Sequence, residues 1–497
     1  MDVAEEDKVT LDEALNRTGF GLYSYFLLSL TGLTVIALVC TAYGTTIIVP
    51  TSACELMTTS AQRGFLAAAP VVGLIIGSVF WGYLADVYGR RLMLIISLAS
   101  AATVNALASI SVNWIMLMIL QFLATVLASG QYPMAMTLLS ESVPMSKRNL
   151  VVLLVASIFL LSQGIMAVLA IPIIPLTFSY ELASLGIYWN SWRTLLLVYS
   201  APGIICAMCL FFMCESPKFL FAKGRETEAT TVLKKIHKLN HLSSKEELNI
   251  KGFLLEISSN TGSKSAKNQF LPLFKSPLLK STVIIFFLFV IQQVGSFLVW
   301  LPTISNQFVE IVNTGEGSNL TLCAILKESI NAPPDVNEVP CSLNVTSLLI
   351  VLAVAAVQST TNAFISIIIN RVGRRNMVII VTSLCGASGI IANLVPNAIG
   401  SAILFFIFLI GIVTTGLYTA MAVAYFPTYL RTLAVAFSMT GGRIGSVVSL
   451  QILNNLLENN CELGFYVYSA LFASSAIIAA FLADDRIPQK IMEKTTF

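Results

Sequence analysis

Arg443 is the clearest ionisable residue inside the long apolar runs that make up most of this sequence. Burying a charge in a lipid-like environment costs several kcal/mol, so a residue of this kind usually has a function. Its guanidinium could attract an anionic group of a ligand. Alternatively, because Arg443 lies 443 − 431 = 12 residues, or roughly 18 Å, beyond Arg431, it could lie towards one end of its run and pair with backbone carbonyls.

Several neutral polar and aromatic side chains lie in the other apolar runs and could bind an uncharged polar solute. Amides offer hydrogen bonds and rings offer stacking surfaces, and Gln358 and Asn362, four residues apart, share one helix face. The same amides could instead bond one helix to another, as is common in helical bundles. Besides Arg443, the candidate binding residues are Gln131, Tyr132, Gln292, Gln293, Trp300, Gln358 and Asn362.

The sequence indicates no enzymatic chemistry. Both histidines, His237 and His241, lie in a polar stretch, so no histidine proton relay is expected inside the membrane. No metal-ligand cluster, phosphate-binding glycine loop or nucleophile with its base is recognisable. We therefore expect no enzyme, no cofactor and no metal site. Nucleic acid is not an expected partner, since the basic residues are scattered and the net charge is only +3.

Membrane-spanning helices must position the candidate residues. Hydrophobic residues make up 56% of the 497 residues and charged residues only 11%, with a mean hydropathy of +0.82, so lipid is the expected solvent. The expected fold is an all-α membrane protein. Apolar runs of about 20 residues predict twelve helices, here named span 1 to span 12, at 24–49, 63–84, 92–111, 114–138, 149–175, 194–214, 281–303, 345–369, 376–395, 401–425, 432–454 and 464–483.

Six spans precede a polar central loop and six follow it. The loop, 215–280, is rich in Lys, Glu, Ser and Asn, and a helix is predicted within it around Glu226 to Lys238. We expect a monomer. The predicted division of the chain is an N-terminal segment 1–23, a first half 24–214, the central loop 215–280, a second half 281–483 and a tail 484–497.

Basic residues predict the orientation of the spans, because Lys and Arg in short loops are retained on the cytoplasmic side. One set of loops carries only Arg63, Arg193 and Lys327. The other set carries Arg90, Arg91, Lys147, Arg148, Arg371, Arg374, Arg375 and Arg431. Both termini and the central loop are therefore predicted to be cytoplasmic.

The loop 304–344 is predicted on the opposite side, outside the cell or in a vesicle lumen. It carries two N-glycosylation sequons, at Asn319 and Asn344, of which Asn319 is the stronger candidate because Asn344 lies close to the membrane. An oxidising compartment would also permit a disulfide between Cys323 and Cys341 that closes this loop.

Two short motifs recur at almost one distance along the chain. Gly89 and two arginines after span 2 are matched by Gly373 and two arginines after span 8, an offset of 373 − 89 = 284. Pro144 after span 4 is matched by Pro427 after span 10, an offset of 427 − 144 = 283. This repetition indicates two parallel six-helix halves, an architecture in which transporters bind solute between the halves near mid-membrane.

The first motif could latch one conformational state, since Asp86 can pair with the neighbouring arginines and glycine permits a tight turn. Alternatively, the arginines only set the topology. The pairs Glu141 with Arg148 and Glu215 with Arg431 could act as gates, although exposed ion pairs often contribute only about 0–1 kcal/mol. The candidate latch residues are Gly82, Asp86, Gly89, Arg90, Arg91, Gly373, Arg374 and Arg375.

The segment from Gly82 to Arg91 resembles the signature between the second and third spans of the major facilitator superfamily. Glu215-Ser216-Pro217 resembles a segment shared by its sugar-porter, organic-ion and synaptic vesicle glycoprotein branches, and Leu11-Asp12-Glu13-Ala14-Leu15 resembles the last of these most. The resemblance implies a major facilitator fold. The acidic residues usual in span 1 of that branch are absent from Leu33 to Val49, so proton coupling is not implied.

The leading hypothesis is a secondary transporter or facilitator that moves a small organic solute by alternating access, in the plasma membrane or in a secretory or synaptic-type vesicle membrane. A second hypothesis is a non-transporting, synaptic-vesicle-glycoprotein-like protein that binds a partner or regulates vesicles. A third, a proton-coupled carrier, requires a carboxylate that faces the pathway. The lipid bilayer and a small solute are the expected partners.

Overall fold

The computed structural model describes residues 8–183, 186–241, 252–253, 271–276, 278–314, 319–331, 343–426 and 428–482. The described chain is predominantly helical, as the apolar runs predicted. Its two small sheets pair Lys8–Val9 in parallel with Gly252–Phe253, and Tyr180–Leu182 in antiparallel with Ile187–Trp189.

Each predicted span coincides with one helix or with two consecutive helices. The helices of the first half are Leu22–Tyr43 and Thr45–Ser52 (span 1), Ser60–Tyr88 (span 2), Arg90–Leu107 (span 3), Trp114–Ala128 and Gln131–Ser142 (span 4), Met145–Ala170 (span 5) and Ser191–Leu210 (span 6). Those of the second half are Leu278–Ile291 and Val294–Thr314 (span 7), Val345–Val372 (span 8), Arg374–Ile391 (span 9), Ala398–Ile410 and Thr414–Tyr425 (span 10), Thr428–Asn459 (span 11) and Cys461–Ala480 (span 12).

Ten helical stretches of the described residues are long and apolar enough to cross a membrane. The helices of spans 9 and 11 fall outside these ten, so the count of twelve spans stays a prediction, whereas the all-helical membrane fold is confirmed. Outside the spans lie the helices Leu11–Arg17, Pro217–Ala222, Glu226–Asn240 and Leu322–Asn331. The third of these confirms the helix predicted in the central loop.

Side-chain caps begin four of the spans at one face of the molecule, here called the sequon face because it also carries Asn344. Thr59 forms a capping box with Gln62 at the start of span 2, and Asn113, Asn344 and Asn397 accept bonds from the backbone amides that open spans 4, 8 and 10. Caps of this kind satisfy amides that lack partners within the helix. The opposite face, which carries Gly89 and Gly373, is here called the motif face.

The core is continuous between the two halves only towards the sequon face. One buried cluster there combines Ile47 and Met166 of the first half with Phe297, Leu348 and Phe465 of the second. Towards the motif face, the buried residues of the described chain fall into separate clusters. One contains Leu27, Trp81 and Leu138 of the first half, and the other contains Ile285, Tyr418 and Met421 of the second.

Polar contacts between the halves follow the same distribution. At the sequon face, Asn454 of span 11 donates to the Ser60 carbonyl at 3.0 Å and to its hydroxyl at 2.9 Å. One turn further along span 2, a side chain at Gly64 would meet the amide oxygen of Gln451 at 2.5 Å, so Gly64 lets the Gln451 amide lie against span 2. Nearer mid-membrane, Ser359 donates to the Ser157 carbonyl at 2.9 Å. The halves are thus closed at the sequon face.

Two disulfide-bonded sites lie on the sequon face. Cys323 is bonded to Cys461, which links the helix Leu322–Asn331 to the start of span 12. The predicted bond between Cys323 and Cys341 is therefore wrong: proximity in the fold pairs Cys323 with a residue 138 positions away, at a Cα–Cα distance of 5.6 Å. Cys341 itself lies outside the described residues. Cys54 is also disulfide-bonded.

Arg193 is a buried arginine that holds together three loops of the first half on this face. Its guanidinium bonds the Glu55 carboxylate at 2.6 Å and donates to the carbonyls of Ser109, Ser111 and Tyr188 at 2.6, 2.9 and 3.0 Å. The side chain is only 1% exposed. Four of its five N–H donors are therefore satisfied, and Arg193, noted in the sequence only for topology, is a structural hub.

Replacing Arg193 with Ala is expected to lower the free energy of unfolding by about 3 kcal/mol, because the partly buried Glu55 would lose its counter-charge. Denaturant titration of the purified protein in detergent measures this. Arg225 is the matched control, since its pair with Glu228 is half-exposed at both ends, and Arg225→Ala should leave unfolding unchanged. Equal effects of the two substitutions would contradict the role given to Arg193.

Candidate functional site

Four spans are interrupted along their length, and these interruptions define the candidate site. Span 1 breaks at Gly44, span 4 between Ala128 and Gln131, span 7 between Ile291 and Val294, and span 10 at a short 310 helix. All the other spans are single helices. Discontinuous helices commonly form the midplane sites of membrane transporters, since their exposed backbone groups and adjacent side chains can contact a solute.

Side-chain donors satisfy backbone carbonyls at two of these breaks. In span 10, Gln358 donates to the Leu409 carbonyl and Gln292 to the Gly411 carbonyl, both at 3.0 Å. In span 4, the Trp81 indole donates to the Val126 carbonyl at 3.0 Å. Each of these carbonyls also accepts a local bond, from Gly411, Thr414 or Ser129, so the side-chain donors add a second bond and tie the breaks to neighbouring helices. The structure thus places Gln292 and Gln358 between helices of their own half.

Each break also leaves a buried polar atom unpaired. Within the described residues, no hydrogen-bond partner is present for the side-chain oxygens of Thr46 in span 1, Gln131 in span 4, Gln292 and Gln293 in span 7, and Thr415 in span 10. A buried polar atom without a partner costs about 1–3 kcal/mol. Water or a polar solute at the breaks would recover this cost.

Arg443 lies at the middle of its own helix, Thr428–Asn459, and beside the middle of the span 2 helix. It donates across the interface between the halves to the Leu74 carbonyl, at a long 3.4 Å. Leu74 is 74 − 60 = 14 residues from the start of span 2 and 88 − 74 = 14 from its end. Arg443 therefore lies at the middle of its helix, and its bond to a backbone carbonyl is the kind of contact that the alternative interpretation predicted.

Two tyrosines lie beside this point. Tyr43, the last residue before the span 1 break, and Tyr132, just after the span 4 break, pack on the same apolar cluster as Leu74. Tyr132 also meets the ring of Phe159 edge-on, at 5.7 Å between ring centroids. Arg443 and Tyr43 thus both lie beside the Leu74 cluster. The sequence analysis missed Tyr43, which lies inside predicted span 1, although its position beside Gly44 could have suggested it.

The remaining candidate residues lie at separate positions in the two halves. Gln293 lies in the span 7 break, against Gly445 of span 11, where an added side chain would meet its amide nitrogen at 2.7 Å. Trp300 is buried, and its indole nitrogen has no partner in the described chain. Asn362 faces Gly416 of span 10, whereas Gln131 donates weakly to the Ser97 carbonyl at 3.4 Å. Of the predicted residues, Arg443 bonds across the interface between the halves, whereas the contacts of Gln293 and Tyr132 lie within their own halves.

At the motif face, the arginines and acids form a partly buried cluster. Arg90 is 3.2 Å from Asp86 and 3.5 Å from Glu141, and its guanidinium stacks on Phe219 at 4.8 Å. Asp86 is 76% exposed, so its pair contributes little. Glu215 accepts from the backbone amides of Arg90 and Arg91 at 3.0–3.1 Å. This carboxylate thus caps the start of span 3, where the helix dipole favours negative charge.

Arg91 and Arg375 make equivalent contacts in the two halves. Arg91 donates to the carbonyls of Leu210 and Phe211 at the end of span 6, at 2.9 and 2.6 Å. Arg375 donates to the Ala480 carbonyl at the end of span 12, at 2.7 Å. Cations stabilise the carbonyl-rich ends of helices. The repeated arginines therefore tie the third helix of each half to the sixth.

One of the two predicted gate pairs, Glu141 with Arg148, is not formed as proposed. Glu141 contacts Arg90 and accepts a short hydrogen bond from Ser216, while Arg148 lies 3.8 Å from Asp12 and donates to the Ser140 carbonyl. Pairing Glu141 with Arg148 is therefore wrong, because the two side chains leave span 4 and span 5 in different directions. Glu215 is engaged within the first half, and the side chain of Arg431 lies outside the described part.

The two sequons differ in exposure. Asn319 is exposed in a turn, whereas Asn344 is half-buried, and its side-chain oxygen caps span 8 through the Thr346 amide at 3.0 Å. Asn319 thus keeps its place as the stronger candidate for glycosylation, which stays a prediction for both.

Comparison with known proteins gives a consistent group of relatives. A family profile described as "Major Facilitator Superfamily" matches residues 33–326. The synaptic vesicle 2-related protein of Xenopus laevis is 25% identical over 487 residues, which cover 96% of this chain and 81% of that protein. The synaptic vesicle glycoprotein 2A of Rattus norvegicus is 26% identical over 237 residues, or 48% of this chain and 32% of that protein.

The solved structure of the xylose transporter XylE from E. coli, in a partially occluded inward-open conformation, has a similar fold. The match covers 94% of this chain and 99% of that one, with a TM-score of 0.65 and 14% sequence identity. At that identity the likeness concerns the fold alone. The relatives confirm the resemblance to the synaptic vesicle glycoprotein branch that the sequence motifs indicated.

The two glycines of the first motif are expected to respond differently to substitution. Gly89 has φ +105°, and an added Cβ would lie 2.5 Å from the Glu215 carboxylate, whereas Gly82 has no atom within 4 Å of that position. Gly89→Ala should cost about 1–3 kcal/mol of stability, while Gly82→Ala in a helix should be neutral or stabilising by up to about 1 kcal/mol. Thermal unfolding in detergent compares the two, and similar losses for both would contradict this assignment.

Proposed function

Since the chain belongs to the major facilitator superfamily, we propose that it is a secondary transporter that moves a small organic solute by alternating access. The observation that carries this proposal is the set of four helix breaks, each beside a buried polar atom without a partner in the described chain. Polar groups that the fold leaves unpaired at helix breaks suit a solute that passes through. The solute site would comprise Arg443, Gln293 and Tyr132, with Asn362 and Trp300 around it.

The contacts between the halves support a mechanism in which one half rocks against the other. The halves share one core at the sequon face and have separate cores at the motif face. This is the asymmetry expected of a transporter closed on one side and open on the other. Separation of Asn454 from Ser60 and of Gln451 from Gly64 would open the sequon face.

The proposed orientation follows the basic residues. The motif face would lie in the cytoplasm with both termini, and the sequon face would lie outside the cell or in a vesicle lumen. The halves would comprise 24–214 and 281–483, joined by the central loop 215–280. In this orientation the described state faces inward, and the disulfides lie on the oxidising side.

Transport is tested by uptake of radiolabelled sugars, organic cations and organic anions into proteoliposomes, with and without a pH gradient. We expect saturable uptake of one class, unaffected by the gradient. Arg443→Ala should lower uptake at least about tenfold, because its side chain bonds across the interface between the halves. Gln293→Ala should lower uptake as well, because the Gln293 side-chain oxygen is unpaired in the span 7 break. The variants must keep the wild-type gel-filtration profile. Absence of uptake of every class by folded protein would favour the non-transporting alternative.

A disulfide across the sequon face should stop transport. The side-chain atoms of Ser60 and Asn454 are 2.9 Å apart, so the double variant Ser60→Cys, Asn454→Cys should cross-link under mild oxidation. Uptake should fall to background and return on reduction. The two single variants and the wild type, taken through the same cycle, are the controls. Undiminished uptake by the cross-linked protein would contradict the alternating-access proposal.

A further inference from the structure

We propose that the site takes an organic anion with an apolar or aromatic body, whose anionic group is bound by Arg443 with the Tyr43 hydroxyl beside it. This inference rests on the proposed transport function and names its substrate class. The anionic group could be a carboxylate or a sulfonate, since both present oxygens to a guanidinium in the same way.

The charge balance of the membrane-spanning segments carries the argument. None of the twelve predicted spans contains an Asp or a Glu, and Arg443 is the one basic residue in the interior of any of them. The positive charge at mid-membrane therefore has no acidic counterpart from the spans. Arg443 is half-buried, and a charge inside a membrane-spanning helix is costly unless something neutralises it. An anionic solute would supply the missing charge.

The hydrogen bonds of Arg443 lead to the same conclusion. A guanidinium has five N–H donors. Within the described chain, the hydrogen bond found for Arg443 is the 3.4 Å contact to the Leu74 carbonyl. Arg193, by comparison, is buried with four donors satisfied and a carboxylate at 2.6 Å. Arg193, which has a structural role, thus has four of its five N–H donors paired. Arg443, at the interface between the halves, has one paired within the described chain.

The surroundings of Arg443 indicate the rest of the ligand. Tyr43 and Tyr132 pack around Leu74 in an apolar cluster with Leu38 and Ala128, and Phe159 extends this surface. A ring or an aliphatic body would pack there while its anionic group met the guanidinium. A cationic solute would be repelled by Arg443. A neutral solute would leave the charge of Arg443 unbalanced.

Binding is tested by thermal unfolding of the detergent-solubilised protein with probes of matched shape: benzenesulfonate and benzoate as anions, benzenesulfonamide as the neutral probe and phenyltrimethylammonium as the cation. The anions should raise the unfolding temperature and the other two should not. Arg443→Gln should weaken anion binding at least about thirtyfold. Tyr43→Phe should weaken it about three- to tenfold. Tyr25→Phe, in the exposed part of the same span, should not alter it.

A purely structural role of Arg443 predicts a different result for the ligand-free protein. If Arg443 holds the halves together, Arg443→Gln should unfold at a lower temperature. If Arg443 is an unbalanced charge, the variant should unfold at the same or a higher temperature, because a buried cation has been removed. Stabilisation by the neutral or cationic probe, by no probe at all, or by anions in Arg443→Gln as well as in wild type would overturn the proposal.

Transport of benzenesulfonate separates this inference from the proposed function. Each ion would carry one negative charge without a compensating proton, so an inside-positive membrane potential should accelerate its uptake into proteoliposomes. Saturable uptake of neutral sugars alone would overturn the substrate class and leave transport intact. Anion binding that depends on Arg443, without uptake of any probe, would support the site and contradict transport.

Discussion

The need to pair every backbone carbonyl within the bilayer constrains this structure more than any other interaction. A helix that breaks in lipid must find donors for the carbonyls at the break. In spans 10 and 4 these carbonyls accept local bonds and, in addition, bonds from Gln292, Gln358 and Trp81. Because these three donors come from neighbouring helices of the same half, the breaks in spans 10 and 4 are also points at which each half is held together.

Hydrogen bonds to helix ends also hold each half together at the motif face. Glu215 caps the start of span 3, and Arg91 and Arg375 bond the ends of spans 6 and 12. These contacts lie within one half or between a half and the segment that follows it. None of them resists movement of one half relative to the other. The residues predicted as a latch therefore act on helix ends inside each half, and the separate cores at this face leave the halves free to move apart.

Sequence reasoning predicted the helical membrane fold, the repeat and the helix in the central loop, because apolar run length and motif offset are local properties of the chain. It could not choose between ligand contact and helix bonding for Gln292 and Gln358, since both roles favour an amide in an apolar run. It paired Cys323 and Glu141 with the wrong residues. Those pairings depend on which way helix ends turn and on which loops meet, and sequence distance contains neither. It missed Tyr43 because an aromatic residue within a membrane span is commonplace.

Arg443 carries a charge at the interface where the two halves would move against each other. Its contact with the Leu74 carbonyl bridges the halves at the depth of the helix breaks, yet at 3.4 Å the hydrogen bond is weak. A ligand changes a conformational equilibrium only by binding one state better than the other. An anion that occupied the guanidinium would compete with this bridge and neutralise the charge at the interface. The free energy of binding would then act on the contact between the halves, so one side chain could couple occupancy of the site to the rocking that moves the solute.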